Sequence, residues 1–189
     1  ETYFKPEKNG HAFAKDLVEL IVKMNHGTYL DESLENSACT DFNIGVAGYP
    51  EKHMEAASLE QDIYHLKKKA EAGADYIVTQ MFFDNQKYYD FVEKCRTSGI
   101  NVPIIPGLKP ITTKSQLSMI PHRFKVDLPN ELVIAVAKAK DNKEVKEIGI
   151  NWCIQQSKDL MKNGAPVLHY YSMGKSEVVK RIASEVFKD

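Results

Sequence analysis

Short apolar runs alternate along the chain with longer segments in which apolar residues recur every three to four positions. The clearest run is Tyr76–Phe83, in which apolar and β-branched residues lead directly into the polar Gln80. A near-continuous run of this kind is typical of a strand in a parallel sheet covered by helices, because both faces of such a strand are buried. Further runs predict strands at Phe42–Ala47, Val102–Gly107 and Val167–Tyr171.

The segments between these runs have the periodicity of helices. A first helix is predicted over about His11–Met24, because apolar residues recur there at helical spacing: Phe13, Leu17, Leu20, Ile21 and Met24. Ser58–Gln61 is a capping box, which begins a helix that Gly73 ends. The next helix is predicted to begin at Asp84 or Asn85, and a short one begins at a second capping box over Thr113–Gln116. Another helix follows Leu128-Pro129, a long one runs up to Gly164, and the last spans Ser176–Phe187.

Two prolines fall in the third predicted strand. Pro103 and Pro106 have no backbone N–H to donate to a sheet. We therefore expect them at the ends of the strand or at a bulge.

The alternation of strand and helix indicates βαβ units and a parallel sheet, hence an α/β fold. The spacing fits either a doubly wound sheet or half of a (β/α)8 barrel. Four strands alone leave two unpaired edges, which proteins normally avoid. A whole barrel needs ~250 residues, against 189 in this chain.

Composition and charge exclude several classes of protein. A hydrophobic content of 43%, a charged content of 27% and a net charge of −1 are typical of an ordinary globular domain with no general attraction to nucleic acid or membrane. No apolar run approaches the ~18 residues of a membrane span, and no secretory signal opens the sequence. The three cysteines, Cys39, Cys95 and Cys153, form no C-x-x-C pair, so a reducing, cytoplasmic location is the simplest expectation.

Polar residues follow each predicted strand, and the carboxyl ends of parallel strands meet at one edge of a sheet. An amide such as that of Gln80 can donate and accept at once, which suits a planar heterocycle, although it could equally cap the following loop. The residues at these strand ends are Tyr49, His53, Gln80, Lys109 and Tyr171.

Asp62 and Lys69 lie seven residues apart on the Ser58 helix and so share one face, to the side of its apolar stripe. That face could reach a ligand beside the sheet, or it could be a solvated acid and base on a helix surface. Gly174-Lys175-Ser176 begins the last helix, where free amides can bind an anion. His169 occupies the position of the first Gly of a P-loop, which excludes a P-loop NTPase. The sequence also contains no G-x-G-x-x-G motif, no spacing typical of metal ligands, and no serine and histidine paired at a nucleophile elbow.

Several motifs resemble one enzyme family. They are Phe42–Pro50 with the following Glu51-Lys52-His53 and Glu55-Ala56, then Ala72–Phe83, Pro103–Gly107 and Leu168–Tyr171. In this order they closely resemble methylenetetrahydrofolate reductase, from about Phe13 to the end of the chain. That family is a flavin-dependent (β/α)8 TIM barrel, and the resemblance implies that residues 1–189 are roughly its last four βα units, the C-terminal half of a single catalytic domain without a regulatory domain.

The resemblance also implies an activity. Members pass hydride from NADH or NADPH to FAD, and the reduced flavin converts 5,10-methylenetetrahydrofolate to 5-methyltetrahydrofolate, a step of one-carbon metabolism that serves methionine biosynthesis. The acidic residue that acts as their general acid lies at the end of their first strand and has no counterpart here, so we assign no catalytic residue and no metal ligand to this chain. We expect a homo-oligomer.

Site residues follow from the motifs by resemblance. Those expected to contact FAD are Ala14, Tyr49, His53, Asp62 and Lys69. Gln80 is expected to read the pterin, and Gln116, Tyr171 and Lys175 are expected to contact folate or nicotinamide. Lys175 stands where many relatives carry Arg, so a bidentate contact with a folate carboxylate would become a point-charge contact.

Two other functions are compatible with the residues. One is a different TIM-barrel enzyme that binds a phosphorylated substrate at the helix start around Lys175. The other is a catalytically silent half-barrel that serves in assembly.

Overall fold

The structure, a computed structural model, describes residues 5–8, 10–31, 33–174 and 176–188. In these ranges helices alternate with the strands of a single parallel sheet, whose order is β1-β2-β3-β4. The α/β prediction is confirmed, while closure into a barrel stays a prediction. The elements are α1 (Ala14–Asn25), β1 (Gly45–Gly48), α2 (Leu59–Glu71), β2 (Tyr76–Met81), α3 (Asn85–Thr97), β3 (Ile104–Leu108), α4 (Gln116–Phe124), α5 (Asn130–Lys138), α6 (Asn142–Lys162), β4 (His169–Tyr170) and α7 (Ser176–Val186).

The two outer strands are shorter than the apolar runs that predicted them. β1 begins three residues later than predicted, and Phe42 is 54% exposed. β4 is only two residues long. Each outer strand has one partner in the described sheet, as predicted, so its hydrogen-bond ladder is limited to one side. Before β1, the Asp75 carboxylate accepts from the Ile44 N–H in place of a ladder bond.

The prolines lie where the sheet tolerates them. Pro103 precedes β3 and uses its carbonyl, which accepts from the Ile77 N–H at 2.9 Å. Pro106 lies at a shift of register, since Val78 pairs with Ile105 but Met81 pairs with Gly107. The prediction of strand-end and bulge positions is confirmed, because neither site requires the missing N–H.

Helices cover one face of the sheet. Ile77 and Thr79 are fully buried on that face and Ile104 is 2% exposed, whereas Val78 and Ile105 on the opposite face are partly exposed. The main core lies between the sheet and the helices α2, α3, α6 and α7. A second core, at the carboxyl end of β2, is formed with α4, α5 and the first half of α6.

The first predicted helix is confirmed as α1, but its apolar residues do not all pack in the core. Val18 is the buried residue of this helix, at 3% exposure, whereas Phe13 and Leu17 are 73% and 49% exposed. Apolar periodicity identified the helix but not which part of its apolar surface packs. Phe13 and Leu17 face a cleft instead of the core.

Candidate functional site

A cleft with a volume of about 770 Å³ is enclosed by α1, β1, the loop after β1, and α2. The five residues expected to contact FAD all line this cleft: Ala14, Tyr49, His53, Asp62 and Lys69. They come from three separate elements, so the fold brings together side chains that the sequence separates by up to 55 positions (69 − 14). This geometry favours the ligand-binding interpretation of Asp62 and Lys69 over a solvated helix face.

Hydrogen bonds fix the loop that connects β1 to α2. Lys52 adopts a left-handed conformation (φ 86°), and its Nζ donates to the carbonyls of His53 and Ala56 at 3.1 and 2.6 Å. The predicted cap of α2 is confirmed, since Ser58 Oγ accepts from the Gln61 N–H at 3.2 Å. In return, Gln61 Oε1 accepts from the backbone N–H of Ala57 at 2.9 Å.

Asp62 ties this loop to the helix. Its Oδ2 accepts from the backbone N–H of His53 at 2.7 Å. The His53 ring packs edge-on against Tyr49, with ring centroids 4.6 Å apart. Through this bond, Asp62 on α2 helps to position the His53 and Tyr49 rings where they line the cleft.

Lys69 places a cation inside the cleft. Its Nζ donates to the Ala47 carbonyl of β1 at 2.7 Å. Burial lowers the pKa of Lys69, and the Asp62 carboxylate opposes this effect. A partly desolvated ammonium of this kind can bind an anionic or hydroxyl-rich group more strongly than a fully solvated one.

Tyr49 is a neutral hydrogen-bonding group in this site. Burial raises its pKa, and the negative charges of Asp62 and Glu55 raise it further. The phenol therefore keeps its proton at neutral pH and can both donate and accept.

Sequence reasoning missed several residues on both sides of the cleft. One side is apolar and comes from α1, where Phe13, Leu17 and Ile21 line the cleft. The other is a polar row on α2, in which residues recur at helical spacing and include Gln61, Asp62, His65, Lys68 and Lys69. That spacing was a usable signal, whereas the role of the α1 row was hidden because an apolar face predicts a core contact by default.

Gln80 and Tyr171 lie at the neighbouring strand ends. Gln80 is partly exposed, and its Oε1 accepts from the Met81 N–H at 3.0 Å. Tyr171 donates from its hydroxyl to the Thr79 carbonyl at 2.8 Å. Its ring reaches β2 by crossing Gly107, where a Cβ would lie 2.7 Å from Tyr171 Cε2 and would collide with the Thr79 carbonyl. Burial, and then Tyr49, raise the pKa of Tyr171.

Helix α6 holds the end of β2 from the covered side. Trp152 Nε1 donates to the Phe83 carbonyl at 3.1 Å, and Gln156 Nε2 donates to the Phe82 carbonyl at 3.4 Å. Gln156 is 7% exposed, so these are bonds of the interior. They fix the backbone directly after Gln80.

The other predicted contacts are placed less clearly. Gln116 lines neither the cleft nor the small cavity beside Gln80, and its Oε1 accepts from the N–H groups of Thr112 and Thr113 at 2.6 and 3.1 Å. Only this half of the predicted second capping box forms, so α4 begins at Gln116 instead of after Thr113. Lys175, which motivated the phosphate-binding alternative, lies outside the described residues, directly before the start of α7 at Ser176.

Within the described ranges, no group of three or more His, Cys, Asp or Glu side chains is placed to hold a metal ion. The helices of the same ranges include none that is both long and apolar enough to cross a membrane.

Comparison with solved structures identifies a similar fold. A protein from Clostridium thermocellum that binds two copies of 5-methyl-5,6,7,8-tetrahydrofolic acid has a TM-score of 0.50 and 19% identity, over 77% of this chain and 52% of that one. At this identity the similarity concerns the fold alone.

Comparison with known sequences identifies the family. The chain is 37% identical over 180 residues to methylenetetrahydrofolate reductase (NADH) 1 of Arabidopsis thaliana, covering 90% of the chain and 28% of that relative. It is 34% identical over 171 residues to 5,10-methylenetetrahydrofolate reductase of Buchnera aphidicola, covering 90% of the chain and 53% of that relative. The chain thus spans between about a quarter and about half of these relatives. The family model for methylenetetrahydrofolate reductase matches residues 1–186, and the chain therefore belongs to the methylenetetrahydrofolate reductase family.

Proposed function

We propose that this chain supplies part of the active site of a flavin-dependent enzyme that reduces 5,10-methylenetetrahydrofolate to 5-methyltetrahydrofolate with NADH or NADPH. One observation carries the proposal: the five residues that the family resemblance nominates for FAD line a single cleft. Folate and a nicotinamide nucleotide are then its substrates.

The cleft suits FAD in size and chemistry. Its volume of about 770 Å³ lies within the ~300–1,000 Å³ typical of cofactor sites. The apolar wall of α1 suits a flat ring system, and the polar wall of α2 suits phosphates and hydroxyl groups. When bound, FAD supplies the relay of hydride between the nicotinamide and the folate.

Each lining residue has a distinct role in this proposal. Lys69 offers its charge to the phosphates or ribityl oxygens, and Tyr49 offers a protonated phenol. Asp62 acts chiefly by holding the His53 backbone, so its carboxylate is a positioning group. Ala14 leaves room beside the apolar wall of α1.

The substrate side is formed by the neighbouring strand ends. The amide of Gln80 forms hydrogen bonds with the edge of the pterin, which carries both donors and acceptors. Tyr171 lies over Gly107 and limits the space beside Gln80. Gln116 and Lys175 are proposed as further contacts with folate or nicotinamide.

The sheet also supports the proposal of a barrel. β1 and β4 each have one partner in the described sheet, and the face opposite the helices carries the partly exposed Val78 and Ile105. Further βα units that pair with both edges would cover this face and supply the acid that the chain lacks. The result would be a single catalytic TIM-barrel domain in a homo-oligomer.

The experiment is to measure flavin absorbance and reductase turnover of the complete enzyme, in which the remaining βα units are joined to this chain, with NADH and NADPH compared. We expect a yellow protein that oxidises one of these nucleotides when methylenetetrahydrofolate is present. A colourless protein that neither binds added FAD nor turns over would reject the proposal. A flavoprotein inactive toward folate would reject its substrate half.

A further inference from the structure

Glu51 links two segments that are far apart in sequence. It lies in the loop after β1, and its Oε2 accepts from the backbone N–H of Asp127 at 3.0 Å, across 76 positions. Asp127 belongs to the segment between α4 and α5. The bond therefore joins the loop that carries Tyr49 to a different βα connection.

The segment after α4 is also anchored by an apolar residue. Lys125 ends α4 in a left-handed conformation (φ 54°), and the next residue, Val126, is 2% exposed. Val126 packs in the second core, with Met81 and Phe83 at the end of β2. The segment is thus held by the burial of Val126 and by a polar bond that depends on Glu51.

Both linked segments form the wall of a small cavity beside Gln80. Tyr49 and Glu51 line it from one side, and Val126 lines it from the other. Its volume of about 10 Å³ leaves room for about one water molecule. A displacement of either segment would therefore change the surroundings of Gln80 directly.

We propose that Glu51 is a positioning residue, which fastens the segment after α4 to the loop after β1 and so fixes the wall beside Gln80. The fastening itself needs no ligand. Its consequence for folate rests on the proposed function of Gln80.

The charges around Glu51 make this link sensitive to pH. Burial raises the pKa of Glu51 from its ordinary 4.5 to about 7, and the charge of the Asp127 carboxylate also raises it. The hydrogen bond from the Asp127 N–H and the charge of Lys87 lower this pKa, but by less. Lys87 of α3 lies 3.9 Å from the Asp127 carboxylate. Two further lysines lie nearby. Lys125 lines the cavity, and Lys52 Nζ donates hydrogen bonds to two carbonyls of its own loop. Burial outweighs the Asp127 N–H, so the arrangement with Glu51 buried favours the protonated carboxyl and is progressively destabilised as the pH rises from about 4.5 to about 7.

The chain contains a reporter for this motion. Trp152 is its only tryptophan and packs in the same core as Val126. Without any ligand, we expect the fluorescence of the wild-type protein to titrate with a midpoint no higher than about pH 7, the pKa of buried Glu51. Glu51→Gln keeps an acceptor for the Asp127 N–H but cannot ionise, so its fluorescence should not titrate between about pH 6 and about pH 8.5. Glu51→Ala should show at low pH the emission that the wild type shows at high pH.

Controls separate this link from other titrations. Glu93→Gln removes an exposed carboxyl of α3 and should leave the wild-type titration unchanged. Asp127→Asn keeps the backbone donor but removes the neighbouring negative charge, so the midpoint should fall below that of the wild type. A wild-type midpoint in Glu51→Gln, or a midpoint in Asp127→Asn that is unchanged or higher, would overturn the proposal.

Kinetics then test the consequence for folate. The KM for folate in the wild type should rise as the pH approaches about 7, by at most about tenfold per pH unit for one proton, and should level off above it, while Glu51→Gln shows no such rise. Flavin reduction by the nicotinamide should not change. If fluorescence titrates as expected but the KM for folate does not, the link stands and the proposed role of Gln80 fails. If fluorescence does not titrate, the link itself is wrong whatever the folate assay shows.

Discussion

The two faces of the sheet differ in what covers them. On one face, Ile77 and Ile104 are enclosed by helices and are at most 2% exposed. On the other, Val78 and Ile105 are partly exposed, and the side chains at the adjoining strand ends are Tyr49, Gln80 and Tyr171. The covered face explains why the chain folds, and the open face together with the β1 edge carries the residues proposed for chemistry. An exposed apolar face typically marks a surface that a ligand or a further chain covers.

The strongest test of this difference between the two faces is to truncate adjacent residues that point to opposite faces. Ile77→Ala removes a fully buried side chain from the covered face and should cost about 2–5 kcal/mol of unfolding free energy. Val78→Ala should cost less than about 1 kcal/mol while its face is open, and about 1.5–3 kcal/mol once further strands close a barrel over it. Denaturant unfolding measures both. A cost for Ile77→Ala no larger than that of an open-face Val78→Ala would contradict the assignment of the faces.

The packing of α6 on the covered side gives a second test. A Cβ on Gly149 would collide with the backbone carbonyl of Ile111, which no side-chain rotation can relieve. Gly149→Ala should therefore cost about 3 kcal/mol, at the upper end of overpacking effects. Gly164→Ala is the matched control, since a Cβ there meets open space and only its left-handed backbone (φ 84°) is strained, at about 1–2 kcal/mol. Equal costs in chemical denaturation would show that α6 does not pack this closely.

Gln80 tests the chemistry assigned to the open face. In the complete enzyme, Gln80→Ala should impair the folate half-reaction by about one to two decades, since losing a partner of a buried polar edge costs ~1–3 kcal/mol. Reduction of FAD by the nicotinamide should change much less. Stopped-flow measurement of the two half-reactions separates them, and equal losses in both would indicate a structural role.

The smallest expected effect concerns the stability contribution of Glu51. Because the folded-state pKa of Glu51 is raised to about 7, stability is lost as the pH rises from its ordinary 4.5 to about 7, and the deficit persists above that range. Glu51→Gln should therefore melt a few degrees above the wild type at pH 8 and at the same temperature near pH 4. An advantage that is larger at the acidic pH would have the wrong sign for this account.

Much of the covered face could be predicted from the sequence, because burial there follows local patterns. The apolar run before Gln80 predicted β2, and the capping box at Ser58 predicted the start of α2. The spacing of Phe13 and Leu17 predicted a helix, but it could not show whether a core or a cleft lies beside them.

Contacts between distant segments could not be predicted. Trp152 and Gln156 reach the carbonyls after β2 across 69 and 74 positions, and Glu51 reaches Asp127 across 76. No local propensity encodes such partners, since they depend on how the helices pack on the sheet. The five residues nominated for FAD were found by resemblance, and only the fold brings them into one cleft.

The central claim is that this cleft binds FAD through Lys69, and the dissociation constant of FAD tests it most directly. Lys69→Gln removes the cation inside the cleft, whereas Lys67→Gln removes a neighbouring α2 lysine that does not line the cleft and pairs with Glu71 at 3.8 Å. Quenching of flavin fluorescence should show an FAD affinity about ten- to a hundredfold weaker for Lys69→Gln, since a charged hydrogen bond contributes about 1.5–3 kcal/mol. Lys67→Gln should bind FAD as the wild type does. Equal affinities for the wild type and both variants would contradict the account.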